Sequence, residues 1–501
     1  MTVSGISSNI VPLIQSALDI NKQLADLQQQ LGSGQKADTY AGLGSQSGIA
    51  IALNAQLSAI KSFNDTMANV ATSISIQQAV LQQVASIGST VQSATLQSSF
   101  AVDSTGQTTS QKTVQSQLDQ ILSLLNTQGG NGYLFSGSGL NQPSVDTADH
   151  VLNGNGAQAG LKQVIAERNQ ADLGADGLGR LVIPAAAGTT VAVSEDAASS
   201  PFGLKLAGVN STLAGATVTG PAGSPAAISV NLGATNPNNG DAITYTFSLP
   251  DGTNQTLQLQ ATTSAPPGPN QFTIGATPAA TAANLQAALT AGVSRIGSTS
   301  LSAASAMAAS NDFFGDPPQR VSGSPFTATA LVNGTSANTV FWYTGEDGAG
   351  SARSTATARI DPSTTVSYGT RANEQGIRWI VQNIAALAAT SYASSDPNAS
   401  ASYAALNQRI YSALGVPAGV QNITDIESSL ASVQTVMKTT QSQHQQTSNM
   451  LTTMQQSIEG VDINQVGAQI LSLQTSLSAS LSTTARMASL NLLNYLSPVT
   501  G

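Results

Sequence analysis

The strongest constraint on this chain is a 3,4 spacing of apolar residues, sustained over many heptads at both ends. Ile10, Leu13, Ala17, Ile20, Leu24, Leu27 and Leu31 form the first run. Asn9 is placed as an N-cap, Pro12 is tolerated in a first turn, and Gly32-Ser33-Gly34 marks the stop. A second run takes in Ile60, Phe63, Met67, Val70, Ile74, Gln77, Leu81, Val84, Gly88 and Val91. A third, Val114, Leu118, Ile121 and Leu125, halts at Gly129-Gly130. The C-terminal part mirrors this. Ile423, Ile426, Leu430, Val433, Met437, Thr440, His444, Thr447, Leu451, Met454 and Ile458 keep the period until Gly460. Ile463, Val466, Ile470, Leu473 and Leu477 resume it, and Leu481, Leu490, Leu493 and Leu496 carry it on. A stripe two residues per heptad wide cannot bury itself. These helices need one another or further copies, and the two chain ends are the natural partners.

Between the ends the composition changes. Residues 140–370 are rich in Gly, Thr, Asn, Pro and Val, the vocabulary of strands and turns. Ala242–Phe247 alternates, Pro250-Asp251-Gly252 turns, and Thr256–Leu259 alternates back, which predicts a hairpin. Thr339–Tyr343 predicts a further strand. Thr277-Pro278 predicts the start of an Ala-rich helix to about Ala291, and Ala372–Ala389 another helix. The resulting class is α+β: long coiled-coil helices from both chain ends, with a β-rich middle inserted between them.

Composition excludes much chemistry. Among 501 residues, 26 are acidic and 17 basic, for a net charge of −9, which argues against a nucleic-acid partner. With no Cys and two His, disulfides, thiol catalysis and Cys- or His-rich metal sites are excluded. No apolar run reaches a membrane-spanning length. The opening Met1-Thr2-Val3-Ser4-Gly5-Ile6 has neither a basic region nor an apolar stretch, so no ordinary signal peptide is expected. An N-terminal helix whose polar face carries Gln and Ser, with only Lys22 and Lys36 basic, fits packing among uncharged helices better than a membrane surface.

Candidate chemistry is sparse. His444 at a seam position predicts a polar layer that sets register, with a ligand or pH switch as the alternative. His150, near Asp146 and Asp149, is expected in a solvated loop. Gly42-x-Gly44-x-x-x-Gly48 lacks a preceding apolar strand and is placed as a hinge between helices, not a dinucleotide loop. Asp312, Asp316 and Asp361 are scattered acids with no spaced calcium loop around them. No catalytic residue, cofactor site or metal site is predicted.

Leu24-Ala-Asp-Leu-Gln-Gln-Gln-Leu-Gly-Ser-Gly34 resembles the N-terminal pattern of the bacterial flagellin family, and Ile74–Leu96 resembles its second helix. Gly132-Tyr-Leu-Phe-Ser-Gly137 and Leu490-Asn-Leu-Leu-Asn-Tyr-Leu496 look like the hook–filament junction (hook-associated) branch of that family. The resemblance covers about 1–140 and 420–501. It implies a non-enzymatic, extracellular structural subunit of the flagellum, exported unfolded through a type III channel without a cleaved signal peptide. It further implies contacts with copies of itself and with other axial proteins (hook-associated proteins and flagellin), and an export chaperone.

The expected layout is 1–45 as an N-terminal assembly helix and 46–139 as the N-terminal part of a helical rod. Residues 140–371 form a β-rich variable region, 372–460 the C-terminal part of the rod, and 461–501 a C-terminal assembly helix. The first and last seams are the expected self-assembly surfaces. The rod core is expected at Ile60, Phe63, Met67, Val70, Ile74, Leu81, Val84, Ile426, Leu430, Val433, Met437, Leu451 and Met454. A filament flagellin is the alternative within the family, and an adhesin on a coiled-coil stalk the alternative outside it.

Overall fold

A computed structural model describes residues 7–97, 99–130, 132–415 and 419–495. In chain order, helices α1 (Ser7–Ser33), α2 (Ser47–Gln97) and α3 (Thr109–Leu125) come first. A small hairpin follows, β1 (Gln128–Gly129) with β2 (Gly132–Tyr133), then α4 (Ala148–Asn153) and α5 (Leu161–Leu173). Strands β3 (Leu181–Val182), β4 (Thr190–Glu195), β5 (Lys205–Ser211), β6 (Thr217–Ala222) and β7 (Ala227–Asn231) succeed one another. They are followed by β8 (Ala242–Ser248), β9 (Asn254–Thr262) and β10 (Gln271–Thr273). Helices α6 (Pro278–Ile296) and α7 (Ser302–Phe313) precede short strands β11 (Gln319–Val321), β12 (Leu331–Asn333), β13 (Thr357–Asp361) and β14 (Thr364–Ser367). The chain closes with α8 (Gln375–Ala389), α9 (Ala399–Leu414), α10 (Ile423–Glu459) and α11 (Ile463–Tyr495).

Two compact units result. One comprises Met1–Asn69, Ala358–Thr365 and Thr435–Gly501; the other comprises Val70–Thr357 and Val366–Gln434. In the first, α1 packs along α11. Gly34 ends α1 in a left-handed conformation (φ +70), where a side chain would be strained. A 3-10 segment, Tyr40–Gln46, kinks at Gly44 (φ +57) before α2 begins at Ser47.

The second unit holds both larger sheets. One has the antiparallel order β3-β4-β7-β6, with Val191 opposite Val230 and Val193 opposite Ile228. The other has the order β10-β9-β8-β5, with Tyr245 opposite Leu257 and Ile243 opposite Leu259; β10 joins it in parallel. The expected β8–β9 hairpin is present. Asp251 Oδ1 accepts from Thr253 N (3.0 Å), and Gly252 takes φ +80. Alternation gives each strand one apolar face, and Val193, Val230, Tyr245, Phe247 and Leu259 meet Leu285 and Leu289 of α6 in a single core. Thr277 caps α6, accepting from Ala280 N (3.2 Å), with Pro278 in the first turn.

The helical part of this unit is built around α7, which packs on α5, α8 and α9, while α3 packs on α8. Thr108 and Gln111 form a reciprocal capping box at the start of α3. One buried charge cluster ties α5 to α7. Arg168, 4% exposed, donates to Asp172 Oδ2 (2.9 Å), Asp312 Oδ2 (2.6 Å) and the Pro201 carbonyl (3.2 Å), with its guanidinium 5.0 Å from the Phe202 ring centre.

Two differences from the sequence expectation concern the middle. Residues 140–371 carry α4, α5 and α7 as well as strands and the expected Ala-rich helix α6. Thr339–Tyr343 is no ladder strand. Its backbone makes isolated bridges from Thr339 to Ala159 and from Tyr343 to Val145. The alternation there reflects burial, with Val340 and Trp342 inside.

Candidate assembly surface

The α1–α11 pair displays the terminal seams. Leu13, Ala17, Ile20, Leu24 and Leu27 are half-buried, while Leu31 is exposed. On α11, Val466 and Ile470 are buried, and Leu473 and Leu477 half-buried. Beyond Leu477 the inward line passes through Ser480 and Thr484, and Leu481 is 54% exposed. Ile10, Leu490 and Leu493 lie in helix, but their side chains fall outside the described residues, as does all of Leu496.

A second apolar line runs beside the first on α1. Val11, Ile14 and Leu18, again spaced 3,4, are 62%, 49% and 59% exposed. Exposed apolar surface of this regularity is the signature of a face that meets a partner. Sequence reasoning drew the inner stripe and missed this one, although the same spacing was there to be read.

A backbone clasp fixes the α1–α11 register. Lys36 N donates to the Glu459 carbonyl (2.7 Å), and Val461 N to the Gly34 carbonyl (3.1 Å). Lys36 Nζ donates to the carbonyls of Ser457 (3.0 Å) and Ile458 (2.9 Å). These are last-turn carbonyls of α10, with no intrahelical donors and at the negative end of the helix dipole, where a cation is favoured.

His444 is 5% exposed. Its Nδ1 lies 3.0 Å from Asn64 Oδ1 on α2 and its Nε2 3.2 Å from Asp361 Oδ2, with the Phe63 ring 6.0 Å away. The polar layer thus pins the tip of the β13–β14 hairpin as well as two helices. Backbone and side-chain donors of Ser363, then His444, hold the Asp361 carboxyl below its ordinary range.

The expected rod-core residues divide. Met67, Val70, Ile74, Leu81, Val84, Ile426, Leu430, Met437 and Leu451 are buried. Ile60, Phe63 and Val433 are half-buried. Met454 is 44% exposed, which corrects its placement. The inward line of α10 runs Met437, Thr440, His444, Ser448, Leu451, Gln455 and Ile458. The four-residue step from His444 to Ser448 is an eleven-residue phase shift, so Thr447 and Met454 rotate outward.

Two odd seam residues of α2 find their reason in the second unit. Buried Gln77 donates to Thr370 Oγ1 (2.8 Å) and the Leu134 carbonyl (3.3 Å). Gly88 faces Ile380, whose Cγ2 would lie 3.3 Å from an added Cβ. Gln77 thereby grips the Gly132–Gly137 segment. Phe135 and Ser136 are fully buried, the Phe135 carbonyl accepts from Ala372 N (2.8 Å), and Gly137 N donates to the Thr370 carbonyl (3.1 Å).

The remaining candidates have ordinary partners. His150 lies on α4, not in a loop, with Nδ1 2.9 Å from Asp146 Oδ1. Asp312 is taken up by Arg168 and Asp361 by His444; burial and the nearby Asp347 charge push the Asp316 carboxyl up. Among the described residues no cluster of His, Asp and Glu could hold a metal ion, and no helix is long and apolar enough to cross a membrane.

Comparison with known proteins gives one finding. Residues 6–139 match the family described as the bacterial flagellin N-terminal helical region. No curated protein matches the chain.

Proposed function

We propose that this chain, whose residues 6–139 match the bacterial flagellin N-terminal helical region, is the subunit at the hook–filament junction of the flagellum. In this reading it is a structural, self-assembling component of the flagellum, an extracellular organelle, which the match to the flagellin N-terminal region supports. The junction assignment rests on one observation: the Tyr133-Leu-Phe-Ser-Gly137 element, resembling the junction branch, is a built part of the fold. Its Phe135 and Ser136 are fully buried, and Gln77 of α2 reaches its backbone.

In this proposal the α1–α11 pair and the clasp at Lys36 present the exposed line of Val11, Ile14 and Leu18 to neighbouring subunits. The layout keeps residues 1–45 and 461–501 as assembly helices, 46–139 and 372–460 as the rod, and the sheets within 140–371 as its outward part. Partners are further copies, other axial proteins and an export chaperone. The absence of cysteine suits passage of an unfolded chain, since no disulfide could form before export.

A filament role is the second reading. It is favoured by the large middle region with its own two-sheet core. Immunogold labelling of intact flagella with antibody to residues 200–300 tests both. A single band next to the hook is expected; label along the whole length assigns the chain to the filament instead.

A further inference from the structure

A cleft of about 890 Å³ opens in the second unit beside the β8–β9 turn, bordered by α7, α8 and α9. From its lining we propose that it binds a neutral oligosaccharide. Carboxamides are the most frequent polar groups on the lining: Asn254 and Gln255 from β9, Asn311 from α7, Gln382 and Asn383 from α8, and Gln408 from α9. Each carboxamide offers a donor pair and an acceptor in one plane, which matches the alternating donor and acceptor character of vicinal hydroxyls.

Charge in the cleft is cancelled internally. Arg409 donates to Asp251 Oδ2 (2.7 Å), and Arg168 to Asp312 Oδ2 (2.6 Å) as well as to Asp172, so every charge on the lining already has a partner. An anion or cation would have to break a largely buried pair to find its counter-charge, which disfavours phosphorylated, sulfated or basic ligands. Apolar side chains, Met307, Leu331 and Val420 among them, share the walls with these polar groups.

Trp379 supplies the remaining element. Its indole N–H is already given to the Ala413 carbonyl (2.6 Å), so ring surface is what it offers the cleft. Aromatic ring surface suits the C–H face of a pyranose as it suits other apolar faces. Next to it, Asn383 is 1% exposed. Its amide donates to the Trp379 carbonyl (2.7 Å), which ties it to the same turn of α8. A sizeable concave site with convergent polar groups and one aromatic wall is the general form of a small-ligand site.

The test uses the full-length monomer on an array with four arms: neutral cell-surface glycans, neutral bacterial polysaccharide fragments, sialylated glycans and sulfated glycans. Binding to neutral glycans is expected, and the arm that responds identifies their source. The best neutral ligand is then titrated by tryptophan emission. The chain has two tryptophans, and Trp342 is 3% exposed in a core, so Trp379 is the reporter. The double variant Asn311→Ala/Gln408→Ala, at two exposed side chains, should bind at least tenfold more weakly with an unchanged melting temperature. Trp379→Phe should remove the emission change while keeping most of the affinity. The proposal is overturned if no neutral glycan binds, if only anionic glycans bind, if the double variant binds as well as the parent, or if the emission change survives in Trp379→Phe.

Discussion

Replacing Val11, Ile14 and Leu18 together by Asn separates the two stripes of α1. These side chains are 62%, 49% and 59% exposed, so roughly half of each is available for burial in an assembly. Full burial of such a side chain is worth about 1.5–3 kcal/mol, so the half still exposed is worth roughly 1 kcal/mol per residue. Three residues give about 3 kcal/mol per subunit contact, and each 1.4 kcal/mol is tenfold in an equilibrium constant. The critical concentration for polymerisation should therefore rise about a hundredfold. The monomer should change much less, since about half of each side chain already faces solvent in it. Circular dichroism melting of the monomer and seeded polymerisation followed by sedimentation measure the two quantities. A companion variant, Leu24→Asn/Leu473→Asn, strikes the half-buried inner stripe and should lower the melting of the α1–α11 pair. If the outer triple variant polymerises like the parent, the outer stripe is not an assembly contact and the proposed mechanism is wrong.

Three further outcomes follow from the packing. Arg168→Met leaves Asp172 buried without its counter-charge and should cost about 3–5 kcal/mol in urea unfolding of the second unit; a loss under about 1 kcal/mol would show that the cluster relaxes or neutralises freely. The folded Asp361 carboxyl lies below its ordinary value of 3.8, so its contribution to hairpin docking is present above that pH and is lost as pH falls through the folded value. Hydrogen exchange in residues 358–365 should stay slow from pH 7 to about 4 and accelerate only in more acid solution; acceleration already at pH 5–6 would implicate a different group. Lys36→Met removes the cation at the end of α10 and should cost about 0.3–1 kcal/mol, read as faster exchange at Gly460 and Val461, and unchanged exchange there would dismiss the clasp.

What could be read in advance depended on how evenly each element is surrounded. Terminal helices contact neighbours along one stripe, so Leu13 to Leu27 and Val466 to Leu477 stand out as a period. Helix α7 is enclosed on most sides: Ala303, Ala304, Ser305, Ala306, Ala308 and Ala309 are all buried, and a run of small residues leaves no period to find. Helix α5 buries Arg168 and Asp172 on its inner face, so its polar residues disguise an interior surface. At Thr339–Tyr343 the alternation truly reports burial at Val340 and Trp342, but alternation says nothing about whether a neighbouring strand exists to pair with. The cleft beside Trp379 was invisible in sequence, because its carboxamides come from β9, α7, α8 and α9, far apart along the chain. His444 was legible as a polar layer through its seam position. Its partner Asp361 was not, since no local pattern links a hairpin tip to a helix 83 residues later.

The clasp between Lys36 and Ser457 joins residues 421 positions apart. Closing a flexible loop of that length costs about 5 kcal/mol in chain entropy, a cost met only once both ends are present and helical. The terminal unit draws on three separated stretches, Met1–Asn69, Ala358–Thr365 and Thr435–Gly501. A ribosome stalled anywhere before the last stretch, or a protease that has clipped it away, leaves α1 with no α11 and Lys36 with no carbonyls to cap. Pairing of α1 with α11 is thus a property of a chain that carries both stretches, and a fragment that lacks either one leaves the other helix with its inner stripe uncovered.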